Sequence, residues 1–76
     1  MTKVRLDARR LLCPLPVIRV QDRVSELAPG TIVEAVCSDP GALYDIPAWC
    51  RINGHRILSA QTCGEDHIVV LEVSAH

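Results

Sequence analysis

A cysteine followed by two prolines constrains this chain more than any other stretch, because it fixes where the first helix can begin. Pro14 and Pro16 follow Cys13, and beyond them apolar residues recur at steps of three and four as far as Ala28. That spacing is typical of an amphipathic helix. Proline is tolerated in a first helical turn, because the opening backbone N–H groups have no partner inside the helix. The sequence therefore predicts a helix from Cys13 to about Ala28, where a Pro-Gly pair ends it.

The predicted position of Cys13 bears on its chemistry. At a helix entrance the macrodipole favours a negative charge, and thiols there have pKa values lowered from about 8.5 to roughly 3.5–7.5. A thiolate is a nucleophile, so this interpretation makes Cys13 a reactive residue. The other interpretation is that Cys13, like many free cysteines, is a small buried apolar side chain. The position alone leaves both open.

Charge is distributed unevenly along the chain. Residues 1–23 contain six basic and two acidic residues, whereas residues 24–76 contain two basic and seven acidic ones. The basic part brackets Cys13, where it would stabilise a thiolate or dock an acidic partner, or simply form a solvated face. We expect no direct contact with nucleic acid, because the sequence pI is about 6.2 and the chain has one Trp, one Tyr and no Phe for base stacking.

The rest of the pattern predicts four strands and a second helix. The second helix begins at Pro40, with Asp39 as its N-cap, and ends at Asn53. Pro47 inside it predicts a kink, or a restart with Asp45 as a second cap. The predicted strands are Lys3 to Asp7, Thr31 to Cys37, Arg56 to Cys63 and His67 to Val73.

These elements predict a single domain over residues 1–76 of the α/β (α+β) class. The order β-α-β-α-β-β builds a two-layer sandwich, in which a four-stranded mixed sheet is covered on one face by two helices. The first two strands form a parallel pair through a right-handed crossover. The last two form a hairpin.

Several classes of function are excluded by what the sequence lacks. It has no apolar run of about 18 residues for a membrane span and no signal peptide at its start, so we expect a cytoplasmic protein with reduced thiols. The four cysteines are 24, 13 and 13 positions apart, without a close pair, so no metal site is expected. The sequence has no phosphate loop and no dinucleotide motif, so no cofactor is expected. Cys37, Cys50 and Cys63 are interpreted as core or partly buried residues.

Two segments of the chain resemble one known family. Residues 6–17, LDARRLLCPLPV, resemble the L-D-x-R-G-L-x-C-P-x-P-V signature of the TusA/SirA-like sulfur carriers. Asp39-Pro40, then residues 45–50, DIPAWC, and Gly54-His55 resemble the second segment of that family. The resemblance covers most of the chain, in order and at matching separations. It also implies a β-α-β-α-β-β sandwich.

The resemblance implies that Cys13 accepts a sulfane sulfur as a persulfide. The donor would be a cysteine desulfurase or a rhodanese, and the acceptor a DsrE-like or thiouridylase-type protein. In known members the sulfur serves tRNA 2-thiouridine synthesis, molybdenum-cofactor maturation or sulfur oxidation. Such a carrier, or sulfurtransferase in the broad sense, acts with partner enzymes and is not expected to turn over alone. The residues expected to position Cys13 or to contact partners are Arg9, Arg10, Leu12, Pro14, Pro16 and Asp39.

Two features depart from the family pattern. Arg10 stands where the family usually has glycine, which would cost about 1–2 kcal/mol if the backbone φ there is positive. Cys37 and Cys63 lie outside the family signature, so the question of whether a second residue accepts sulfur stays open. Two other functions also stay open: a regulatory protein-binding module without sulfur chemistry, and a small thiol enzyme in which His55 is the base. His55 would otherwise cap the second helix or lie in a surface loop.

Overall fold

The fold follows the order that the sequence predicts. The computed structural model describes residues 2–74. Within them the order is β-α-β-α-β-β, so the predicted architecture is confirmed. The elements are β1 (Lys3–Ala8), α1 (Leu15–Val24), β2 (Ile32–Cys37), α2 (Ala42–Asn53), β3 (Arg56–Cys63) and β4 (Asp66–Glu72).

The four strands form one mixed sheet in the order β1-β2-β4-β3. β1 and β2 are parallel and are connected through α1, which confirms the predicted parallel pair. β4 is antiparallel to both β2 and β3, so the β3–β4 hairpin places its second strand in the interior of the sheet. The parallel register pairs Ala8 with Cys37, and these two strands therefore end side by side. That shared edge positions the candidate site.

The core lies between the sheet and the two helices. Side chains alternate along a strand, so every second residue of β1, β2 and β4 faces the helices. Aliphatic residues fill this layer, and those with the lowest exposure include Ala8, Val33, Ala35, Val69, Leu71, Val20, Val24 and Ile46. Cys37 and Cys50 are buried among them, as expected of small apolar fillers.

Helix α1 is shorter than the predicted span from Cys13 to Ala28. It begins at Leu15, after a turn in which the Leu15 N–H donates to the Leu12 carbonyl at 2.8 Å. It ends at Val24, beyond which Glu26 and Leu27 donate to carbonyls three residues back. Leu27 still packs against the core from this tighter turn. The apolar spacing of the sequence therefore continues beyond Val24, where the α-helix ends.

Helix α2 also departs from the prediction at two points. Its first residue is Ala42, with Gly41 as the N-cap, so Pro40 and Asp39 lie just before it. The helix continues through Pro47 as one element, and the predicted restart with Asp45 as a second cap is wrong. It ends at Asn53, as predicted, and Gly54 follows as a left-handed C-cap with a φ of 81°.

Candidate functional site around Cys13

Two neighbouring loops hold Cys13 at one edge of the sheet. Because β1 and β2 are parallel, the segment after Ala8 and the segment after Cys37 leave the sheet side by side. The Arg10 N–H donates to Ser38 Oγ at 2.8 Å, and the Cys13 N–H donates to Asp39 Oδ2 at 3.0 Å. These bonds link positions 28 and 26 residues apart, so the β1–α1 segment is fixed by side chains from the β2–α2 loop.

Asp39 serves both loops at once. Its Oδ1 accepts the N–H of Gly41 at 3.0 Å, while Oδ2 accepts the N–H of Cys13. A carboxylate that accepts two backbone N–H groups satisfies donors at a turn and at a helix start that would otherwise lack partners. The cap-like role at the start of α2 thus extends to the backbone of Cys13.

The thiol of Cys13 is exposed and contacts a second carboxylate. Cys13 Sγ donates to Asp45 Oδ2 at 3.3 Å. This hydrogen bond is the largest cause that raises the pKa of Cys13, followed by partial loss of hydration and by the negative charges of Asp45 and Asp39. A carboxylate beside a thiol stabilises the protonated form and repels the thiolate.

The predicted lowering of the pKa of Cys13 is therefore wrong. α1 begins at Leu15, two positions beyond Cys13, while the carboxylate of Asp45 is in direct contact with the sulfur. The nearer full charge outweighs the partial charge of the helix end. Sequence reasoning assigned no role at the thiol to Asp45, although the residue belongs to the DIPAWC segment that resembles the family.

The basic residues near Cys13 in sequence have other partners. Arg9 donates to Asp7 from Nε at 3.0 Å and from Nη2 at 3.1 Å. These bonds are the leading cause that lowers the pKa of Asp7 to about 2. Lys3 and Arg5 pair with Glu34 on the sheet. Three of the six basic residues of this part thus pair with carboxylates of the sheet, and Arg23 pairs with Glu26.

Exposed apolar side chains lie close in the chain to Cys13 and to its partner Asp45. Leu12 is 74% exposed beside it, and Leu15 and Ile18 lie one turn apart on α1 at 49% and 44%. Tyr44, 75% exposed, precedes the aspartate that contacts the thiol. Of the two prolines, Pro14 is exposed and Pro16 is buried. We call Leu12, Leu15, Ile18 and Tyr44 the apolar rim.

Arg10 adopts the backbone conformation that its family position suggests. Its φ is 68°, in the left-handed region that favours glycine. The hydrogen bond from its N–H to Ser38 holds it there. The glycine usual at this position therefore has a conformational reason, and Arg10 adopts the same conformation at a cost.

We predict that Arg10→Gly stabilises the protein by about 0.5–1 kcal/mol. The relief of the left-handed strain, about 1–2 kcal/mol, is partly offset by the greater chain entropy of glycine in the unfolded state. Arg10→Ala is the matched control, because it also removes the side chain but keeps a Cβ. Denaturant titration should place Arg10→Gly above Arg10→Ala in free energy of unfolding, and equal values would contradict the strain.

The other cysteines and His55 lie apart from this site. Burial raises the pKa values of Cys37 and Cys50 to about 11. Cys63 is exposed at the end of β3, so its interpretation as a core or partly buried residue is wrong. His55 is buried after the C-terminus of α2, stacks on Trp49 at 5.1 Å, and accepts the Ser74 N–H at Nδ1 at 3.1 Å.

His55 does not serve Cys13 as a base. Asp45, which contacts the thiol, lies in the first turn of α2, and His55 follows the other end of that helix. At about 1.5 Å per residue, the helix separates them by roughly 12 Å. The surface-loop interpretation of His55 is also wrong, since the residue is 6% exposed.

Residues 2–74 contain no group of three side chains suited to hold a metal ion. None of the helices within that range has the length and apolar character needed to cross a membrane.

Comparison with known proteins gives a consistent result. The family model described as "Sulfurtransferase TusA" matches residues 4–73. The chain is 38% identical to the putative sulfur carrier protein YrkI of Bacillus subtilis, over 79% of this chain and 80% of YrkI. It is 35% identical to the putative sulfur carrier protein YrkF of the same organism, again over 79% of this chain but only 32% of YrkF. The sulfur carrier protein TusA of Pseudomonas paraeruginosa is 39% identical over 74% of this chain and 71% of its own length.

A crystal structure supports the fold. The SirA-like protein of Desulfitobacterium hafniense has a TM-score of 0.81 to this chain, covers 95% of it and 99% of its own chain, and is 19% identical.

Proposed function

This chain belongs to the TusA family, and on that basis we propose that it is a sulfur carrier that accepts a sulfane sulfur on Cys13 and relays it to an acceptor protein. The observation that carries the proposal is the exposed thiol of Cys13 within the C-P-x-P motif, on a segment fixed by Asp39. The buried Cys37 and Cys50 are closed to a partner protein. Arg10, Leu12 and Pro14 are exposed around the thiol, where a partner would contact them.

The transfer is an exchange at sulfur that needs no external oxidant. The donor is a protein persulfide, R–S–SH. The Cys13 thiol first loses its proton, and the thiolate attacks the outer sulfur of the donor. A bond forms between Cys13 Sγ and that sulfur, the donor S–S bond breaks, and the donor leaves as a thiolate that takes up a proton. Delivery to the acceptor repeats the exchange in the other direction.

The apolar rim is the proposed contact surface for both donor and acceptor. Exposed apolar side chains grouped around a reactive atom favour protein contact over solvent. The donor would be a cysteine desulfurase or a rhodanese, and the acceptor a DsrE-like or thiouridylase-type protein. We place the carrier in the cytoplasm, because the thiol must stay reduced between transfers. As a carrier it would stop after one equivalent of sulfur.

We predict that incubation with a cysteine desulfurase and cysteine adds about 32 Da, the mass of one transferred sulfur, to the intact protein. Alkylation followed by trypsin digestion localises the sulfur, because cleavage after Arg10 and Arg19 leaves Cys13 as the sole cysteine of residues 11–19. Cys63 falls in a different peptide, and Cys37 and Cys50 share a third.

A sample without desulfurase is the control. Sulfur on the peptide that contains Cys63 would reassign the accepting residue. The absence of any gain with competent donors would favour the protein-binding module without sulfur chemistry.

A further inference from the structure

The hydrogen bond between Cys13 and Asp45 opposes the chemistry that a sulfur acceptor needs. Attack on a donor persulfide requires a thiolate, yet Sγ lies 3.3 Å from a carboxylate oxygen that stabilises the S–H group. The charged groups that act on the thiol are Asp45 from α2 and Asp39 from the β2–α2 loop. From the β1–α1 segment, the Arg9 guanidinium is held by Asp7, and the first turn of α1 has no acidic residue.

The two carboxylates differ in what they bind. Both oxygens of Asp39 accept backbone N–H groups, those of Gly41 and Cys13, so Asp39 is fixed to the framework. Asp45 Oδ2 accepts the thiol itself. A Cβ at Gly41 would lie 3.3 Å from Asp39 Oδ1 and 3.6 Å from Asp45 Oδ2, so the two carboxylates converge there. A thiolate would be a third negative charge beside them.

We propose that Asp45 is a positioning residue that holds the empty Cys13 as a protonated thiol and turns the loaded sulfur away from α2. The part that concerns the loaded state rests on the proposed function. The part that concerns the empty state does not.

Loading changes what Sγ offers to Asp45. In the empty protein Sγ carries a proton, which it donates to Oδ2. After transfer, the bond to the proton is replaced by a bond to sulfur, and Sγ has nothing left to donate. The outer sulfur, about 2 Å from Sγ, bears the negative charge of the persulfide anion. Repulsion from Asp45 then directs that sulfur away from the carboxylate and towards solvent, where a partner protein can reach it.

The consequence is a carrier whose Cys13 is a weak nucleophile when empty and a reactive persulfide when loaded. A protonated thiol is a poor nucleophile and resists alkylation and oxidation. The persulfide anion escapes this restraint, because its charged atom is no longer the one held by Asp45. The same carboxylate thus restrains the empty thiol but not the loaded persulfide.

The rate of Cys13 alkylation by iodoacetamide as a function of pH tests the empty state. The variants are Asp45→Asn and Asp45→Ala, each in a Cys63→Ser background so that Cys13 is the remaining exposed thiol. We expect the midpoint of the pH profile to shift to lower pH in both. A tenfold gain in thiolate fraction becomes about a threefold gain in rate at neutral pH, since nucleophilicity falls with the pKa of the thiol.

Asp22→Asn is the matched control, because it removes an exposed aspartate of α1 and should leave the profile unchanged. Circular dichroism checks the fold of each variant. If Asp45→Asn is unstable, the pH profile of Asp45→Ala provides the test, because alanine has a high helix propensity. A midpoint equal to or above that of the parent protein in the folded variants would overturn the proposal.

The loaded state is tested with protein treated with inorganic polysulfide. In the parent protein, the loaded form should be alkylated faster than the empty form at mildly acidic pH. We expect Asp45→Asn to reduce that ratio by about threefold or more, because the variant raises only the reactivity of the empty thiol. An unchanged ratio would overturn the inference. If Cys13 takes up no sulfur at all, the proposed function fails, while the midpoint shift still decides the role of Asp45 in the empty protein.

Discussion

Replacing Cys13 by serine is expected to abolish the mass gain of about 32 Da that a cysteine desulfurase and cysteine produce. The serine hydroxyl neither ionises at neutral pH nor forms the S–S bond that holds a transferred sulfur. The fold should persist, since the contact from position 13 to Asp39 uses the backbone N–H and not the thiol. The substitution thus replaces one exposed sulfur atom by oxygen. Intact-mass spectrometry measures the loss of the mass gain directly.

Cys63→Ser is the matched control for this experiment. Cys63 is also an exposed free thiol, but it lies at the end of β3 and outside the C-P-x-P motif. We expect the full gain of one sulfur in this variant. A gain that survives in Cys13→Ser and disappears in Cys63→Ser would overturn the assignment of the accepting residue.

The second large effect concerns stability. Ile46→Ala is expected to reduce the free energy of unfolding by about 2–5 kcal/mol, because it removes three buried carbons and leaves a cavity that the core fills only in part. Ile46 is fully buried between α2 and the sheet. A domain of this length has a total stability of roughly 4–11 kcal/mol, so the loss is a large share of it.

Ile52→Ala provides a control on the same helix. Ile52 is 83% exposed, so the identical substitution should change the free energy of unfolding by no more than about 0.5 kcal/mol. Urea titrations of both variants, with the slopes compared, measure the difference. Similar losses in the two variants would contradict the placement of Ile46 in the core.

The sequence predicts the architecture because its signals are local. The two-residue period of the strands, the apolar spacing of the helices and the glycines that end them each depend on neighbours in the chain. The end of α1 shows where such signals fail. Leu27 keeps the apolar period because it packs on the core, although its N–H already bonds to the carbonyl of Val24, three residues back. Periodicity reports which way a side chain faces, and not which hydrogen bond its backbone makes.

The chemistry of the site was less predictable because it depends on distant residues. Local reasoning placed Cys13 at a positive helix end and concluded that its pKa is lowered. The structure brings Asp45, 32 positions away, into contact with the thiol and reverses the sign of the shift. Asp39, predicted as the N-cap of α2, lies two residues before the observed N-cap, Gly41, and its bond to the Cys13 backbone spans 26 positions. No pattern within one segment reports contacts between two segments.

The parallel register of β1 and β2 links the site to the core. Pairing Ala8 with Cys37 brings the two loops together, and the same pairing turns Leu6 and Ala8 towards the helices. A slip of one residue would send these side chains to the opposite face and also separate Cys13 from Asp39. An error in the pairing of β1 and β2 that displaces the Cys13 thiol therefore exposes apolar surface as well. A cell that recognises misfolded copies by their exposed apolar surface would therefore also remove the copies in which the Cys13 thiol is misplaced.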